Sequence, residues 1–581
     1  MSTTATEPRR AHAVQDRVSR TIERMSRWRP GPGPQVGIAL AVYSGAALLL
    51  FGLPVLGHFA SRFVGRPTSD SYLFLWSLGW WPHAVGHALN PFFTKVVWAP
   101  TGYNLAWATT IPGPSLVLWP LTRAFGPAAS YNLLALLSPA LSAWTAFVLC
   151  RRVTQRFWPS LVGGYVFGFS TYELGHLRGH PNLSVVFLVP VCAYLLLRRF
   201  DGTLSTRAFV PLMALALVGE FSVSIEVFAT MTLFGAVTLA IAMLLSSPAG
   251  RRRLLSTVGW LGVAYVVTGA VVSPYLYAMA AYPTPFRVVP VHFVRASTDL
   301  ANLVIPNSVT ALGNGSFRDI AVHFARPLPV GGSYIGIILL AVLLHFAWSA
   351  RRTMVGKLLI ATFLVILLFS LGPVLKLSGP TGVPMPWKLF MKLPLIHRAL
   401  PGRFMMYGFL VLAVVVAIWV TVGGRLAWAR WLVAAAGAVL LLPNLGLSFA
   451  AKAEPPPFFA EGLYRRVLSP GEMVVPSAIP VARSMLYQAE TGMYFRIPAG
   501  YFGSSPPGVA QRRIARAVTT GHPPLFQAPM VRKFLVSKGV GAILVITGRP
   551  FRIEEWKRFL RFLHVRPVRL GGVTVYRLPH P

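Results

Sequence analysis

The chain has 581 residues, 54% of them hydrophobic and only 12% charged, with a mean hydropathy of +0.59. A soluble globular chain carries roughly 25% charged residues, so composition excludes a water-soluble protein and specifies a polytopic membrane one. The net charge of +38 does not point to nucleic acid, because the arginines stand in pairs at the ends of apolar runs, where they set orientation; no nucleic-acid partner is expected.

Residues 1–34 form a basic tail with seven arginines and no cleavage-type segment. Such a tail stays in the cytoplasm, so the first span, 35–57, leads outward as a retained anchor. A long first outer loop, 58–128, follows and is rich in Trp, Pro and Gly. Within it the stretch 111–125 is apolar but interrupted by Pro112, Pro114 and Pro120; it reads as interfacial or re-entrant, with a true span as the alternative. Further spans are expected at 129–150, 159–174, 183–197, 208–221, 225–245, 254–275, 334–349, 357–375, 404–422 and 432–447. Every expected inner turn is short and carries arginine, so about eleven spans place the C-terminus outside. Cys150 and Cys192 fall near expected cytoplasmic helix ends, which leaves no disulfide framework. From about residue 451 the apolar runs shorten. Strand-like pieces at 472–475, 542–546 and 573–576 alternate with helical stretches at 530–537 and 553–563, predicting a small α/β domain over 451–581.

Only 16 residues are acidic, and seven of these lie between 35 and 450. On this topology Asp70, Glu173, Glu220, Glu226, Asp299 and Asp319 fall on the outer side, and only Asp201 on the inner. Carboxylates near lipid are costly and mark polar sites when they persist, whereas acids contribute little to topology. An outer, carboxylate-bearing cavity accounts for the bias. Asp70 sits just past the outer end of the first span and is suited to act as a general base on a bound hydroxyl; a turn or helix cap is the equal alternative. The next outer turn holds Glu173, His176, Arg178 and His180. Their spacing matches no zinc motif, so they read as part of a site wall or as a polar hairpin. Glu220 and Glu226 flank a helix junction where oxygen ligation of a divalent cation is open, beside simple exposure to water. Asp299 begins a long polar loop. Lys388, Lys392, His397, Arg398 and Arg403 suit a lipid-linked phosphate or pyrophosphate, or anionic headgroups. No P-loop, dinucleotide fingerprint, serine-hydrolase elbow or CxxC pair is present.

The stretches Asp70-Ser-Tyr-Leu-Phe-Leu-Trp76, Trp80-Trp-Pro-His83, Ser370-Leu-Gly-Pro373 and Pro401-Gly-Arg403-Phe404, set in this arrangement, resemble the GT-C superfamily of integral-membrane glycosyltransferases. The resemblance covers most of the membrane part and is architectural. It implies an all-α polytopic membrane protein with a small extracytoplasmic α/β domain, and sugar transfer at the outer face of a bacterial inner membrane. The donor would be a polyprenyl-phosphate or pyrophosphate sugar and the acceptor a glycan, lipid or protein of the cell envelope. Asp70 matches the family's first-loop acid. The family often carries two acids there and this chain has one, which leaves base catalysis open and does not decide metal dependence. The implied mechanism is a single inverting displacement, with Arg398 and Arg403 stabilising the phosphate leaving group. A transporter or flippase of lipid-linked glycans and a non-catalytic envelope-assembly protein are the alternatives. Paired repeats expected of a transporter are not apparent.

Overall fold

The computed structural model describes residues 32–281, 287–288, 293–294, 296–315, 317, 319–321, 332–391, 399–424, 427–447, 450–478, 480–505, 528–546 and 567–578. Arg398, most of the basic tail and the helix expected at 553–563 lie outside them.

Among the described residues seven helices are long and apolar enough to cross a membrane: Gly33–Leu56, Trp119–Thr154, Pro181–Phe200, Thr206–Val223, Ile225–Leu245, Pro248–Ala281 and Pro401–Thr421. Three shorter apolar helices, Ile337–Ala350, Met354–Ser370 and Ala427–Leu440, and the helix Phe157–Gly168 complete the bundle. The chain is a multi-pass membrane protein, mostly helical, with a small strand-containing C-terminal region.

Apolarity does not hold such helices together, since lipid is as apolar as leucine; close packing does. The helix Phe157–Gly168 is wedged between Trp119–Thr154 and Met405–Thr421, and three glycines make room for it. A Cβ on Gly163 would stand 2.8 Å from Ala413 O, one on Gly164 2.5 Å from Ala143 O, and one on Gly168 2.5 Å from Pro139 O.

The apolar stretch 111–125 does not form a straight span. A short helix, Pro112–Val117, precedes a second helix that breaks at Gly126, where φ is 82° and the chain turns before Pro127 starts the long buried run to Thr154. Proline suits such a start because its missing N–H is unpaired in a first turn anyway. The run expected as one span at 159–174 also divides. Phe157–Gly168 ends, Ser170 caps a new helix by accepting from Glu173 N, and Thr171–His176 follows.

The C-terminal region carries a four-stranded sheet. Strand Pro567–Leu570 pairs antiparallel with Val573–Arg577 through the turn glycines Gly571 and Gly572. Both have positive φ, as a tight hairpin requires. Val573–Arg577 lies antiparallel to Val540–Ile546, and that strand lies parallel to Met473–Pro476. The region is sewn to the first outer segment. Arg62–Val64 pairs antiparallel with Ala450–Lys452, and Gln488 Nε2 donates to Val96 O at 2.8 Å. Ile497 N also donates to Val96 O, at 2.8 Å, while Ala99 N donates to Ile497 O at 3.1 Å.

Candidate functional site

The helix Ser69–Gly86 follows the first span, which ends at Leu56, and its cap decides what Asp70 is free to do. Thr68, in extended backbone, accepts from Ser71 N at 3.2 Å. Asp70 is therefore the second helical residue and not the cap. Its carboxylate sits in the first turn, where the helix dipole favours negative charge. The loop after Thr171–His176 docks on this turn: Arg66 N donates to Arg178 O at 3.1 Å, and a Cβ on Gly179 would stand 3.0 Å from Ser71 Oγ and 3.1 Å from Thr68 Oγ1. That docking brings His180 Nε2 to 3.4 Å from Asp70 Oδ2. On the other side of the carboxylate, Tyr501 donates its hydroxyl to Asp70 Oδ1 at 3.2 Å across 431 residues of sequence.

Burial works against ionisation of Asp70. The hydrogen bond and charge of His180, the hydrogen bond from Tyr501 and the charge of Arg403 outweigh it and hold the carboxyl below the usual carboxylate range. The side chain keeps 33% of its surface exposed, so a proton can reach it. His180 Nδ1 is buried with no partner among the described residues.

His176 lies next along the polar tract. Its ring packs on Tyr172 at 4.2 Å and lies 6.0 Å from the His180 ring, and its Nδ1 contacts Tyr172 O at 2.8 Å. Burial, together with the charges of Arg403 and His180, pushes its pKa well down. A neutral imidazole whose Nδ1 faces a carbonyl carries its proton there. Arg178 is pushed down to about 10 by burial and by neighbouring Arg66, and stays a cation at neutral pH. Arg403 forms an ion pair through Nη1 with Glu226 Oε2, and Leu400 N reaches Glu226 Oε1 at 3.5 Å. Arg403 Nε is buried with no partner among the described residues.

Among the described residues, Glu226 is also the one charged residue lining a cavity of about 380 Å³. Its walls are largely apolar and include Trp107, Ile111, Phe221, Tyr275 and Met279. The cavity thus meets the polar tract at the Glu226–Arg403 pair.

The remaining expected residues stand elsewhere. Glu173 is sealed in the bundle, accepting from Ser138 Oγ at 2.7 Å. Glu220 is fully buried, and neither carboxylate oxygen has a partner among the described residues. Asp299 accepts from Ala301 N and Ser378 N at 3.0 and 2.9 Å and from Gly379 N at 2.9 Å. That set of bonds fixes a hairpin and leaves the carboxylate little to offer a ligand. Among the described residues no three or more His, Cys, Asp or Glu side chains converge as a metal site.

No family model matches the chain, and no curated protein matches it in sequence. Its fold does have solved counterparts. Arabinofuranosyltransferase AftD from Mycobacteria superposes with a TM-score of 0.57 at 15% identity, over 93% of this chain and 40% of AftD. The chain has the GT-C fold. It spans less than half the length of AftD. Weaker superpositions are found with the oligosaccharyltransferase AglB from Archaeoglobus fulgidus (TM-score 0.49, 11% identity, 88% of this chain and 69% of that one). ArnT from Cupriavidus metallidurans gives 0.44 at 12% identity, over 92% of this chain and 97% of that one.

Sequence reasoning missed Tyr501. Its only local signal is a tyrosine in a Gly- and Pro-rich stretch, and nothing there points to a residue so far upstream. The Glu226–Arg403 pairing was equally hidden, its partners standing 177 positions apart in sequence.

Proposed function

We propose that this chain is a membrane glycosyltransferase that moves a sugar from a polyprenyl-phosphate or pyrophosphate donor to a cell-envelope acceptor on the extracytoplasmic face. The observation that carries this reading is an ionised, part-exposed Asp70, released from capping duty by Thr68 and contacted by His180. Fold likeness to an arabinofuranosyltransferase supports it. The acceptor hydroxyl attacks the anomeric carbon and its proton passes to Asp70. The bond from that carbon to the phosphate oxygen breaks, its electron pair leaves on the phosphate, and the anomeric centre inverts. A phosphate leaving group needs no strong general acid. Arg403 is suited to meet it, since pairing with Glu226 fixes a guanidinium whose side chain keeps 18% of its surface exposed. The apolar cavity beside that pair is the natural place for the donor lipid.

The test is to reconstitute the full chain in nanodiscs with polyprenyl-phosphate sugars and envelope glycan acceptors, and to compare surface glycans and lipid-linked intermediates of a deletion strain by mass spectrometry. Donor intermediates should accumulate and one glycan linkage should disappear. Unchanged glycans and intermediates in the deletion strain would refute the reading.

A further inference from the structure

The hydroxyl on Asp70 Oδ1 comes from the C-terminal region, and that region is built to hold it there. Tyr501 follows Gly500, where a side chain would collide with Val97 of the first outer segment. Its backbone N–H points at Met485 Sδ, 3.4 Å away, in the helix Arg483–Glu490. The next residue, Phe502, is buried, edge-on to Trp76 at 5.3 Å and tilted by 33° on Tyr103 at 4.6 Å. Trp76 stands on the same helix as Asp70 and stacks on Trp80 at 5.3 Å. Residues 497–502 are thus clamped between the Asp70 helix, the helix Arg483–Glu490 and the first outer segment. An incidental contact at a domain edge would have no such support.

From this geometry we infer that Tyr501 is a positioning residue for the transfer reaction, by which the C-terminal region completes the active site: its hydroxyl holds Asp70 Oδ1 and leaves Oδ2, beside His180, to receive the acceptor's proton. The inference rests on the proposed base role of Asp70. A carboxylate free to rotate offers either oxygen in many orientations. One anchored at Oδ1 presents the other in a single plane, which a general base requires. The hydrogen bond also favours the charged carboxylate, adding to the effect of His180. The ionisable groups facing Asp70 are His180, Tyr501 and Tyr131, with Arg403 acting at longer range and Arg483 placed over neighbouring Tyr72. Burial and the Asp70 charge raise the pKa of Tyr501, so it remains a donor across the working range.

The experiment uses the full chain in nanodiscs. A water-soluble carbodiimide with an amine trap modifies carboxyls in their protonated form, so the pH midpoint of labelling at Asp70, read by peptide mass spectrometry, follows its ionisation. Tyr501→Phe keeps the ring and removes the donor. The midpoint should rise by up to about one pH unit. In the transfer assay kcat should fall about 10-fold with KM for donor changed less than twofold. Site-specific 3-fluorotyrosine at 501, a stronger donor of the same shape, should move the midpoint down, and it keeps the test sound if Tyr501→Phe folds poorly. An unchanged midpoint in both proteins would overturn the inference. If the midpoints shift but Asp70→Asn leaves transfer intact, the hydrogen bond stands, the base reading fails, and the positioning role falls with it.

Discussion

Asp70 is the residue on which the proposed chemistry turns, and substitutions there separate charge from shape. Asp70→Asn keeps the size and removes the base; transfer should fall by roughly 100-fold or more with membrane insertion intact. Asp70→Glu should keep a small fraction of the rate, because one methylene misplaces the carboxylate. A near-normal Asp70→Asn protein, at wild-type level, would move transport of a lipid-linked glycan to first place. The pH dependence has a definite sign. The carboxyl is held below its usual range, so the base is lost only as pH falls through that lowered value, under about 3.9, and its stabilising contacts fade in the same window. An acid limb above about pH 5 that vanishes in Asp70→Asn would contradict this assignment. Arg403→Ala should act on the donor instead, raising its KM about 10-fold or more through the lost phosphate contact. Asp70 was legible in the sequence because a lone acid just past a first span is costly and conspicuous. Of what it touches, His180 was one of several acids and histidines expected near it, brought there by a docked loop, whereas Tyr501 arrives through a tertiary clamp that leaves no periodic trace.

At the scale of elements, packing in the bundle depends on backbone approach more than on side-chain volume. Gly168→Ala would place a methyl against the backbone of Ala143 and Pro139, which cannot swing aside. It should destabilise by about 1–3 kcal/mol, read as a lower melting temperature in detergent. Gly259→Ala is the control, since nothing lies within 4 Å of its Cβ position. Glu490 makes a second test. It ends the helix Arg483–Glu490, where the dipole disfavours an anion, and burial pushes its carboxyl up to about 7. A folded-state pKa raised above the unfolded value costs stability as pH rises through it. Glu490→Gln should therefore melt with the wild type near pH 4 and above it at pH 8; equal melting at both would remove the assignment. The spans and three of the four sheet strands were legible because apolar runs of 20 residues and short β-branched runs are compositional signals. The breaks at Gly126 and Phe169–Ser170 were not, since a helix that bends keeps the hydropathy of one that does not. Strand Pro567–Leu570 was hidden by its exposed face and its leading proline.

The ends of the bundle differ in chemistry. Asp201 pairs with Arg152 at 2.8 Å at one end, near Arg151 and Arg198, while Asp70, His180, Glu226 and Arg403 gather elsewhere. On the arginine rule the first end is cytoplasmic, so a reporter fused after Pro581 should be active only outside the membrane. Activity in the cytoplasm would mean that the spans pass the membrane a different number of times. The C-terminal region is continuous with the rest in its packing. One cluster of buried side chains joins Tyr43, Trp76 and Phe147 of the membrane part to Phe458, Tyr487 and Val575 beyond it. Strand Arg62–Val64 has its partner in Ala450–Lys452, so removing residues past 449 leaves that strand an unpaired edge and strips the cover from Trp76. Two domains joined by a passive linker would melt separately and tolerate the cut. A shared core predicts one cooperative transition for the full chain. It also predicts that the truncated chain inserts but is extracted as aggregate, with Asp70 open to carbodiimide at higher pH because Tyr501 is gone. A monodisperse truncated protein melting at the full-length temperature would show that the membrane part stands alone.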